Sequence, residues 1–577
     1  MNREQLDELI RSAQGKLEEK RLADGSWRGS LSSSAISTAV ATYALFLIDR
    51  EKYETQVRRG AEWLLSTMKW DGSWGDSEES PSNMTATLLA YATLYGLEQD
   101  PPKARDYLKQ RFGGFSSQKI IQGVLAYYGK DLTFSVPILV MCALTGVITK
   151  WNKIPSLPFE ASVLPQGLFR FLRLPVVSYA IPALIAVGIL RYRKGRKGIF
   201  SWVREGFVAP SLRVLTRLQP AHGGFLEAAP LTAFVAMCLC GAGFREHEVT
   251  RKAALFLETT VRRDGSWAID TNLSSWVTFL SVKAFGGDLP GREQLAERIR
   301  GWAFKERHPF TGARPGGWGW TSLQGSVPDA DDTSGALVAL FLLSDGTYSD
   351  EVGAGIEWLL ALRNKDGGMP TFCKGWGKLP FDRSSPDISA HAFLAFQLWE
   401  SSLPEGLRRR CAKGKKELLR WLSSAQAPDG SWTPLWFGDQ DAGDERSPIY
   451  GTAIAVEYLL ASGDVRALEM AHKGIRFILA AQNEDGGWGG QRGIPSKVTL
   501  TSRALAALAS LQEENQEAGM AIGKGLDYLF VRHQKRNLYQ REPIGLYFAR
   551  LWYSEELYSA TFLLNALRKI KQKEIKS

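Results

Sequence analysis

The stretch KGKKELLRWLSSAQAPDGSW, residues 413–432, decides the fold that we predict for this chain. Its apolar residues recur at the spacing of three and four that is typical of an amphipathic helix. Gly430 follows this helix and supplies the positive φ that lets the backbone turn. The stretch therefore predicts an amphipathic helix that ends in a tight turn containing Trp432.

The same turn recurs along the chain. Five copies read Asp-Gly-Ser-Trp or Asp-Gly-Gly-Trp, at residues 24–27, 71–74, 264–267, 429–432 and 485–488. Degenerate copies follow at residues 222–225, 315–318 and 366–369. Copies within a cluster lie roughly 50 residues apart, as in helical-hairpin repeats. Each turn precedes a second helix rich in Ala and Leu, such as residues 504–511, and strand signals are almost absent. The sequence therefore predicts an all-α protein, an α/α barrel or a solenoid.

Some of the turns have a glutamine before them and a tryptophan within them, as with Gln426 and Trp432. We expect the glutamine amide to bond free backbone groups at the helix end while it stacks on the indole. These turns would then clamp the outside of the repeats. The alternative is carbohydrate binding by exposed tryptophans, which the regular placement of the turns between helices disfavours.

Length and charge indicate two domains and a lipid surface. A chain of 577 residues is long for one core, and its formal net charge of +10 suits anionic lipid or nucleic acid equally well. The basic run at residues 191–197 directly follows an apolar segment, residues 174–190, and this adjacency favours lipid. We therefore expect residues 174–190 and 231–244, with the basic run, to form a monotopic membrane face, and we expect no nucleic acid partner.

The cysteines and the N-terminus indicate an intracellular protein. Cysteines occur at positions 142, 238, 240, 373 and 411, without the paired spacing of a zinc site, so we interpret them as reduced core residues. Residues 1–5 are polar and helical in character, which predicts no signal peptide.

The segment Asp329-Ala330-Asp331-Asp332-Thr333-Ser334 carries the chemistry. Three carboxylates this close, ahead of an apolar run, cannot all ionise cheaply, so at least one should hold a proton well above a pKa of about 4. The cluster is therefore a candidate Brønsted acid. A helix N-cap is the structural alternative, and a metal site with aspartate ligands is a third.

The repeats together with the Asp-x-Asp-Asp-Thr segment resemble the squalene–hopene cyclase family of triterpene cyclases over essentially the whole chain. The resemblance implies two α/α barrels, one inserted in the other, with a large cavity between them. On this basis residues 1–24 plus 276–577 form the barrel that carries the acid motif. Residues 25–275 form the inserted barrel.

The resemblance also assigns catalytic residues. Asp331 would protonate a terminal alkene, with Asp329 and Asp332 as flanking carboxylates. The segment Asp387-Ile388-Ser389-Ala390-His391 is similar to the family's Asp-Val-Thr-Ala-His, whose histidine bonds the acid, so His391 is the expected partner. Tyr450, in Ile449-Tyr450-Gly451-Thr452, completes the predicted catalytic set.

A carbocation needs a lining of π faces instead of lone pairs. The aromatic residues that match the family's motif positions are predicted to bind the substrate: Tyr179, Trp276, Trp320, Phe372 and Trp436. Near the C-terminus the family supplies further aromatic residues, whereas residues 542–553 here read EPIGLYFARLWY. Two aromatic faces are lost and an arginine appears. This departure puts closure of all five hopene rings in doubt and favours a different polyprene or fewer rings.

Three rival interpretations stand beside this one. A prenyltransferase subunit needs a zinc set that the cysteines do not supply. An ionisation-type terpene synthase needs magnesium on aspartate-rich helices. A non-catalytic repeat scaffold would not need the acid cluster and His391. We therefore predict a class II cyclase of squalene or a related linear polyprene, without metal or organic cofactor. It would lie peripherally on the cytoplasmic face of the cell membrane, and a homodimer is a further expectation.

Overall fold

The computed structural model describes residues 2–129, 132–164, 181–195, 198, 201–309, 311–372, 383–511, 515–546 and 550–576. Its elements are helices apart from one small sheet, which confirms the predicted all-α class. The chain forms two compact units. We call residues 1–30, 272–322 and 326–577 the terminal unit, and residues 31–271 with 323–325 the inserted unit. The boundaries that we predicted from the sequence lie a few residues away, because the first Asp-Gly-Ser-Trp turn belongs to the terminal unit, where Trp27 N donates to Thr278 Oγ1 at 2.9 Å.

The terminal unit is an α/α barrel. Its inner helices are α12 (Ser274–Phe285), α14 (Ala330–Ser344), α16 (Pro386–Trp399), α18 (Pro448–Leu460), α20 (Val498–Ala509) and α22 (Tyr558–Lys576). Each inner helix packs on the next, and α22 packs back on α12, which closes the ring. The outer helices are α1 (Arg3–Glu18), α13 (Arg292–Gly301), α15 (Asp350–Leu362), α17 (Glu405–Ala425), α19 (Val465–Ala480) and α21 (Gln516–Gln534).

Burial explains which helices lie inside the ring. Helix α20 is rich in Ala and Leu and is buried along its whole length, which is typical of a helix surrounded by protein. Helix α17 buries only one stripe, formed by Cys411, Gly414, Leu418, Leu419 and Leu422. The amphipathic pattern at residues 413–422 therefore marks an outer helix, and the apolar pattern after each turn marks an inner one.

The inserted unit repeats this arrangement. Its inner helices are α2 (Ala35–Ile48), α4 (Met84–Gly96), α7 (Leu132–Leu144), α8 (Ile181–Lys194) and α10 (Ala229–Gly241). Within the described residues each of these packs on the next, and α10 packs on α2. The outer helices are α3 (Glu54–Ser66), α5 (Pro102–Phe112), α6 (Ser117–Tyr128), α9 (Ser201–Leu218) and α11 (Glu248–Thr260).

The repeated turn joins three helices through one tryptophan. Gly430 has a φ of 90°, which a side chain would strain, and Trp432 is fully buried. The indole Nε1 of Trp432 donates to Leu422 O at 2.9 Å, and its backbone N donates to Thr452 Oγ1 on the next inner helix at 2.9 Å. The indole satisfies a free carbonyl at the helix end, a role that the sequence interpretation gave to the glutamine.

The glutamine instead links neighbouring repeats. Gln426 Nε2 donates to Gly430 O within the turn and to Met470 O of the next outer helix, both at 2.9 Å. Gln482 repeats the pattern with Gly486 O and Ala521 O. The turns thus clamp successive outer helices, as predicted. The tryptophans of the five complete copies are all buried, which makes the carbohydrate-binding alternative wrong.

A three-stranded antiparallel sheet lies near the C-terminus, in the order β1 (Phe437–Gly438), β2 (Ile544–Leu546) and β3 (Leu551–Tyr553). The arginine that departs from the family pattern, Arg550, precedes β3, and its Nη1 lies 2.9 Å from Glu445 Oε2. This ion pair gives Arg550 a partner on a neighbouring loop.

The described part of the membrane face predicted at residues 174–190 and 231–244 is mostly buried, and the membrane contact itself stays a prediction. Helix α10 is an inner helix, and residues 181–190 of α8 are buried throughout. Their apolar side chains therefore face the protein core. No described helix is long and apolar enough to cross a bilayer. Cys142, Cys238 and Cys411 are buried free thiols and Cys240 is half-buried, in agreement with reduced core cysteines; Cys373 lies outside the described residues.

Candidate active site

The acid segment opens inner helix α14. Asp329 is the N-cap of this helix, and its Oδ1 accepts the backbone N–H groups of Asp331 and Asp332, each at 2.8 Å. Two of the interpretations left open by the sequence therefore apply together, because the same aspartate caps the helix and belongs to the carboxyl cluster. The cap fixes Asp331 and Asp332 in the first turn.

Burial raises the pKa of both flanking carboxyls. Burial raises the pKa of Asp329 to about 7, and the charge of Asp331 adds to this rise. Burial and the charge of Asp329 raise the pKa of Asp332 well above its ordinary value, and the two side chains share a hydrogen bond. The predicted crowding is thus confirmed, and it falls on the two flanking residues. Asp332 Oδ1 has no hydrogen-bond partner among the described residues.

Asp331 is the most exposed of the three and bonds a histidine. His391 Nδ1 lies 2.6 Å from Asp331 Oδ1, although 60 residues separate the two in the chain. The side chain of Asp331 is 21% exposed and that of His391 is 5% exposed. Inner helices α14 and α16 pack side by side and bring the pair together. The predicted contact between His391 and Asp331 is therefore present.

Two aromatic rings hold the imidazole of His391. Trp276 on α12 meets it edge to face, with ring centroids 6.1 Å apart, and Tyr458 on α18 stacks on it at 5.1 Å. Trp276 was predicted as a substrate-binding residue and does lie beside the acid pair. Tyr458 was missed, because nothing in its local sequence distinguishes it from an ordinary core tyrosine.

A fourth carboxyl lies near the cluster. Asp387, at the start of α16, is buried and accepts a hydrogen bond from Ser385 Oγ. Burial raises its pKa to about 7, and the negative charge of Asp331 acts in the same direction. The sequence interpretation quoted Asp387 only as part of the motif around His391. Three buried carboxyls whose own pKa values are raised therefore lie near Asp331.

Three predicted aromatic residues form a continuous row. Phe372 lies between Trp320 and Trp436, with edge-to-face contacts at centroid distances of 6.1 and 5.0 Å. The backbone ties this row to the acid site. Trp320 O accepts from Trp276 N at 3.3 Å, and Ala330 N at the start of α14 donates to Thr371 O at 2.8 Å. Tyr179, the remaining predicted aromatic residue, lies outside the described residues.

Tyr450, on inner helix α18, is buried. Its ring contacts Phe437 at 4.9 Å, and the guanidinium of Arg503 lies 5.4 Å from its centroid. Burial raises the pKa of Tyr450 well above its ordinary value, against the lowering effect of Arg503. The phenol therefore keeps its proton at neutral pH.

The terminal unit also contains buried charges that the sequence interpretation missed. Lys283 Nζ donates to Tyr458 OH at 3.0 Å and lies 2.9 Å from Glu457 Oε1. Arg503 is buried in the same region. These residues come from three different inner helices, so only the closed ring brings them together, and no local motif marks them.

The described residues contain no group of three His, Cys, Asp or Glu side chains arranged to hold a metal ion. The terminal unit thus has a buried carboxyl cluster bonded to a histidine, within a barrel of helices and beside a row of π faces. The squalene-hopene cyclase C-terminal domain profile matches residues 298–572, and the N-terminal domain profile matches residues 10–197. The chain belongs to the squalene–hopene cyclase family.

Relatives in this family differ in their named activities. The chain is 22% identical to a probable squalene–hopene cyclase of Sinorhizobium fredii, over 98% of this chain and 97% of that protein. It is 23% identical to enfumafungin synthase of Hormonema carpetanum, over 92% of this chain and 45% of that protein. It is 28% identical to drimenyl diphosphate synthase of Streptomyces showdoensis, over 44% of this chain and 43% of that protein.

The chain spans about half the length of enfumafungin synthase and of a terpene cyclase-glycosyl transferase fusion protein of Humicola fuscoatra, at 45% and 47%. Among solved structures, ent-copalyl diphosphate synthase from Streptomyces platensis is similar to this chain with a TM-score of 0.56 and 16% identity. The likeness covers 98% of this chain and all of that one, and it shows the shared fold.

Proposed function

We propose that this protein is a class II terpene cyclase that starts the cyclisation of squalene or a related linear polyprene by protonating its terminal alkene. The observation that carries the proposal is the 2.6 Å contact between His391 Nδ1 and Asp331 Oδ1 in a cluster of buried carboxyls. Asp331 is the acid, because it is the most exposed carboxyl of the triplet and the one that His391 contacts.

The proposed step balances simply. The O–H bond of Asp331 breaks, and its proton adds to the less substituted carbon of the terminal alkene. The π electrons form the new C–H bond and leave a tertiary cation on the other carbon. The resulting carboxylate accepts a hydrogen bond from His391, and such a bond to an ionised group is shorter and stronger than a neutral one. Later alkenes of the same chain then attack the cation in turn.

The aromatic row would stabilise the cations that follow. A desolvated π face contributes about 2 kcal/mol or more to a nearby cation. Trp320, Phe372 and Trp436 present such faces beside the acid site. Residues 542–553, where the family pattern is interrupted, support a product with fewer rings than hopene, and squalene and shorter polyprenes are therefore both test substrates.

We expect alanine at Trp320, Phe372 or Trp436 to yield prematurely terminated products. Loss of one π face removes about 1–2 kcal/mol or more of cation stabilisation, which slows one ring closure by about tenfold or more. Deprotonation of the preceding cation then competes. Mass analysis of the products, with a melting curve on each variant, checks this. An unchanged product mixture with a lowered melting temperature would return these residues to a structural role.

We expect EDTA to leave turnover unchanged, because the aspartates are proposed to hold protons. The measurement compares initial rates after dialysis against EDTA and after addition of Mg²⁺. Activity that is lost to EDTA and restored by Mg²⁺ would instead favour an ionisation-type terpene synthase.

We also propose a peripheral contact with anionic membranes, since a linear polyprene partitions into the bilayer. With the predicted helices buried, the support now comes from Trp202 and Val203 at the start of α9, which are 76% and 37% exposed, and from the net charge of +10. Cosedimentation with anionic vesicles tests the contact, and Trp202→Ser should weaken it. Equal binding of both proteins would remove this surface from the proposal. The predicted homodimer remains a prediction for analytical ultracentrifugation.

A further inference from the structure

Arg503 is a buried cation that the proposed proton transfer does not use. It lies in the middle of inner helix α20 and is 3% exposed. Its guanidinium carbon is 3.7 Å from the ring centroid of Phe562 and 5.4 Å from that of Tyr450. Its Nε has no hydrogen-bond partner among the described residues. The side chain is thus held mainly by π faces.

The buried cations around Arg503 have an ion-pair partner that Arg503 itself lacks among the described residues. Lys283 and Lys569 both pair with the single carboxylate of Glu457, at 2.9 and 3.5 Å from its Oε1. Asn565 Nδ2 donates to the same oxygen at 3.1 Å. Arg503 interacts with the hydroxyl of Tyr458, a neutral group, and no described carboxylate lies within ion-pair distance of it. Among these three cations, Arg503 is therefore the one without a carboxylate at ion-pair distance in the described part of the chain.

Arg503 is also close to the acid site. Its guanidinium lies over the ring of Tyr450. It also contacts Tyr458, whose ring stacks on that of His391 with the centroids 5.1 Å apart. Burial lowers the pKa of Arg503, and its neighbours Tyr450, Tyr458, Glu457 and Asp331, in that order, together raise it by more. A molecule whose terminal alkene reached Asp331 would therefore have part of its length near Arg503.

An unpaired buried cation is costly to a fold and is unfavourable beside a reaction that generates carbocations. A guanidinium donates in a fixed fork that matches the paired oxygens of a carboxylate or a phosphate. We propose that Arg503 forms a subsite for an anionic oxygen group, a carboxylate or a phosphate ester, on the polyprene that this protein cyclises. The substrate is then a functionalised polyprene and not a pure hydrocarbon. This inference rests on the proposed function.

Binding of a matched series tests the subsite. Geranylgeranyl chains ending in a diphosphate, a carboxylate or a hydroxyl are titrated by calorimetry into the non-reacting Asp331→Asn protein. We expect both anionic chains to bind about tenfold to a hundredfold more tightly than the alcohol, the range of a hydrogen bond to a charged group. Adding Arg503→Met should remove this difference, and Arg503→Lys should keep part of it. Equal binding of alcohol and anions, or discrimination that survives Arg503→Met, would overturn the proposal.

A partly buried arginine that has an ion-pair partner serves as the control. Arg363 forms an ion pair with Glu417 of outer helix α17, so its charge is already compensated. Arg363→Met in the Asp331→Asn background should leave the preference for anions unchanged. If that variant loses the preference for anionic chains, the preference depends on the net charge of the protein, and the proposed role of Arg503 is wrong.

Stability provides an independent readout. Replacing an uncompensated buried charge by a hydrophobic residue of similar size is often neutral or stabilising. Arg503→Met should therefore melt no lower than the wild-type protein. A clear fall in its melting temperature would show that the fold needs the guanidinium and would count against a ligand subsite.

Turnover by the wild-type protein separates the two proposals. Discrimination between the chains without any cyclised product upholds the subsite and rejects the proposed reaction. Cyclised products formed equally well from squalene, the alcohol and the anionic chains uphold the reaction and reject the subsite.

Discussion

Asp331→Asn should reduce cyclisation by at least about ten-thousand-fold, the upper end of what a positioned general acid contributes. The amide keeps the size and shape of the carboxyl but cannot deliver a proton to carbon. The helix cap survives, because Asp329 accepts the backbone N–H of residue 331 and not its side chain. The loss should therefore appear in turnover, with the melting temperature nearly unchanged. Product formation from squalene and from geranylgeranyl chains measures it.

A matched control lies at the other end of the same helix. Asp345 is the C-cap of α14, with a φ of 50° that asparagine tolerates well, and its side chain is 82% exposed. Asp345→Asn should leave turnover unchanged. If Asp331→Asn keeps activity close to that of the wild-type protein, Asp331 is not the acid.

His391→Ala should reduce turnover by about tenfold to a hundredfold. Its imidazole lies 2.6 Å from Asp331 Oδ1, and a hydrogen bond to a charged group contributes about 1.5–3 kcal/mol. Without that bond the carboxylate left after proton transfer is less stable and the acid is less well oriented. His391→Asn keeps an N–H near the position of Nδ1 and should recover part of the loss.

If turnover falls from the wild-type protein to His391→Asn and further to His391→Ala while the melting temperatures stay similar, His391 acts in the reaction and not only in packing. If alanine and asparagine lose equal activity in proportion to lost stability, His391 only fills the core. If alanine keeps activity within a few-fold of wild type, the pairing with Asp331 has no part in the reaction.

Much of the fold is predictable from the sequence, because each repeat contains the residues that determine its own helices and turn. The stripe at residues 413–422 predicts an outer helix, the positive φ at Gly430 predicts the turn, and Trp432 marks the joint between helices. The partner of Gln426 was not predictable in the same way. Met470 O lies in the next outer helix, and its position depends on how the repeats stack.

The apolar runs show a further limit. Hydropathy indicates that residues 231–244 avoid water but not whether protein or lipid covers them. In the structure α10 is an inner helix of the inserted unit, so protein covers it. The exposed Trp202 sits in a mixed segment that hydropathy does not mark.

The contact between Asp331 and His391 was predictable, because each residue lies in a short motif. Its flanking acid Asp329 could not be separated from an N-cap, because it is one. The following residues could not be found from the sequence at all, since each lies in a largely apolar helix and belongs to no motif: Lys283, Glu457, Tyr458 and Arg503. Only the ring formed by α12, α18 and α20 with their neighbours brings these four side chains together.

Cyclisation in D₂O is the sharpest test of proton transfer from Asp331 to the alkene. If Asp331 delivers a solvent-exchanged proton to the terminal alkene, the wild-type product carries deuterium at the carbon that was the CH of that alkene, and Asp331→Asn forms no labelled product. Cyclised product without deuterium at that carbon would contradict proton-initiated cyclisation.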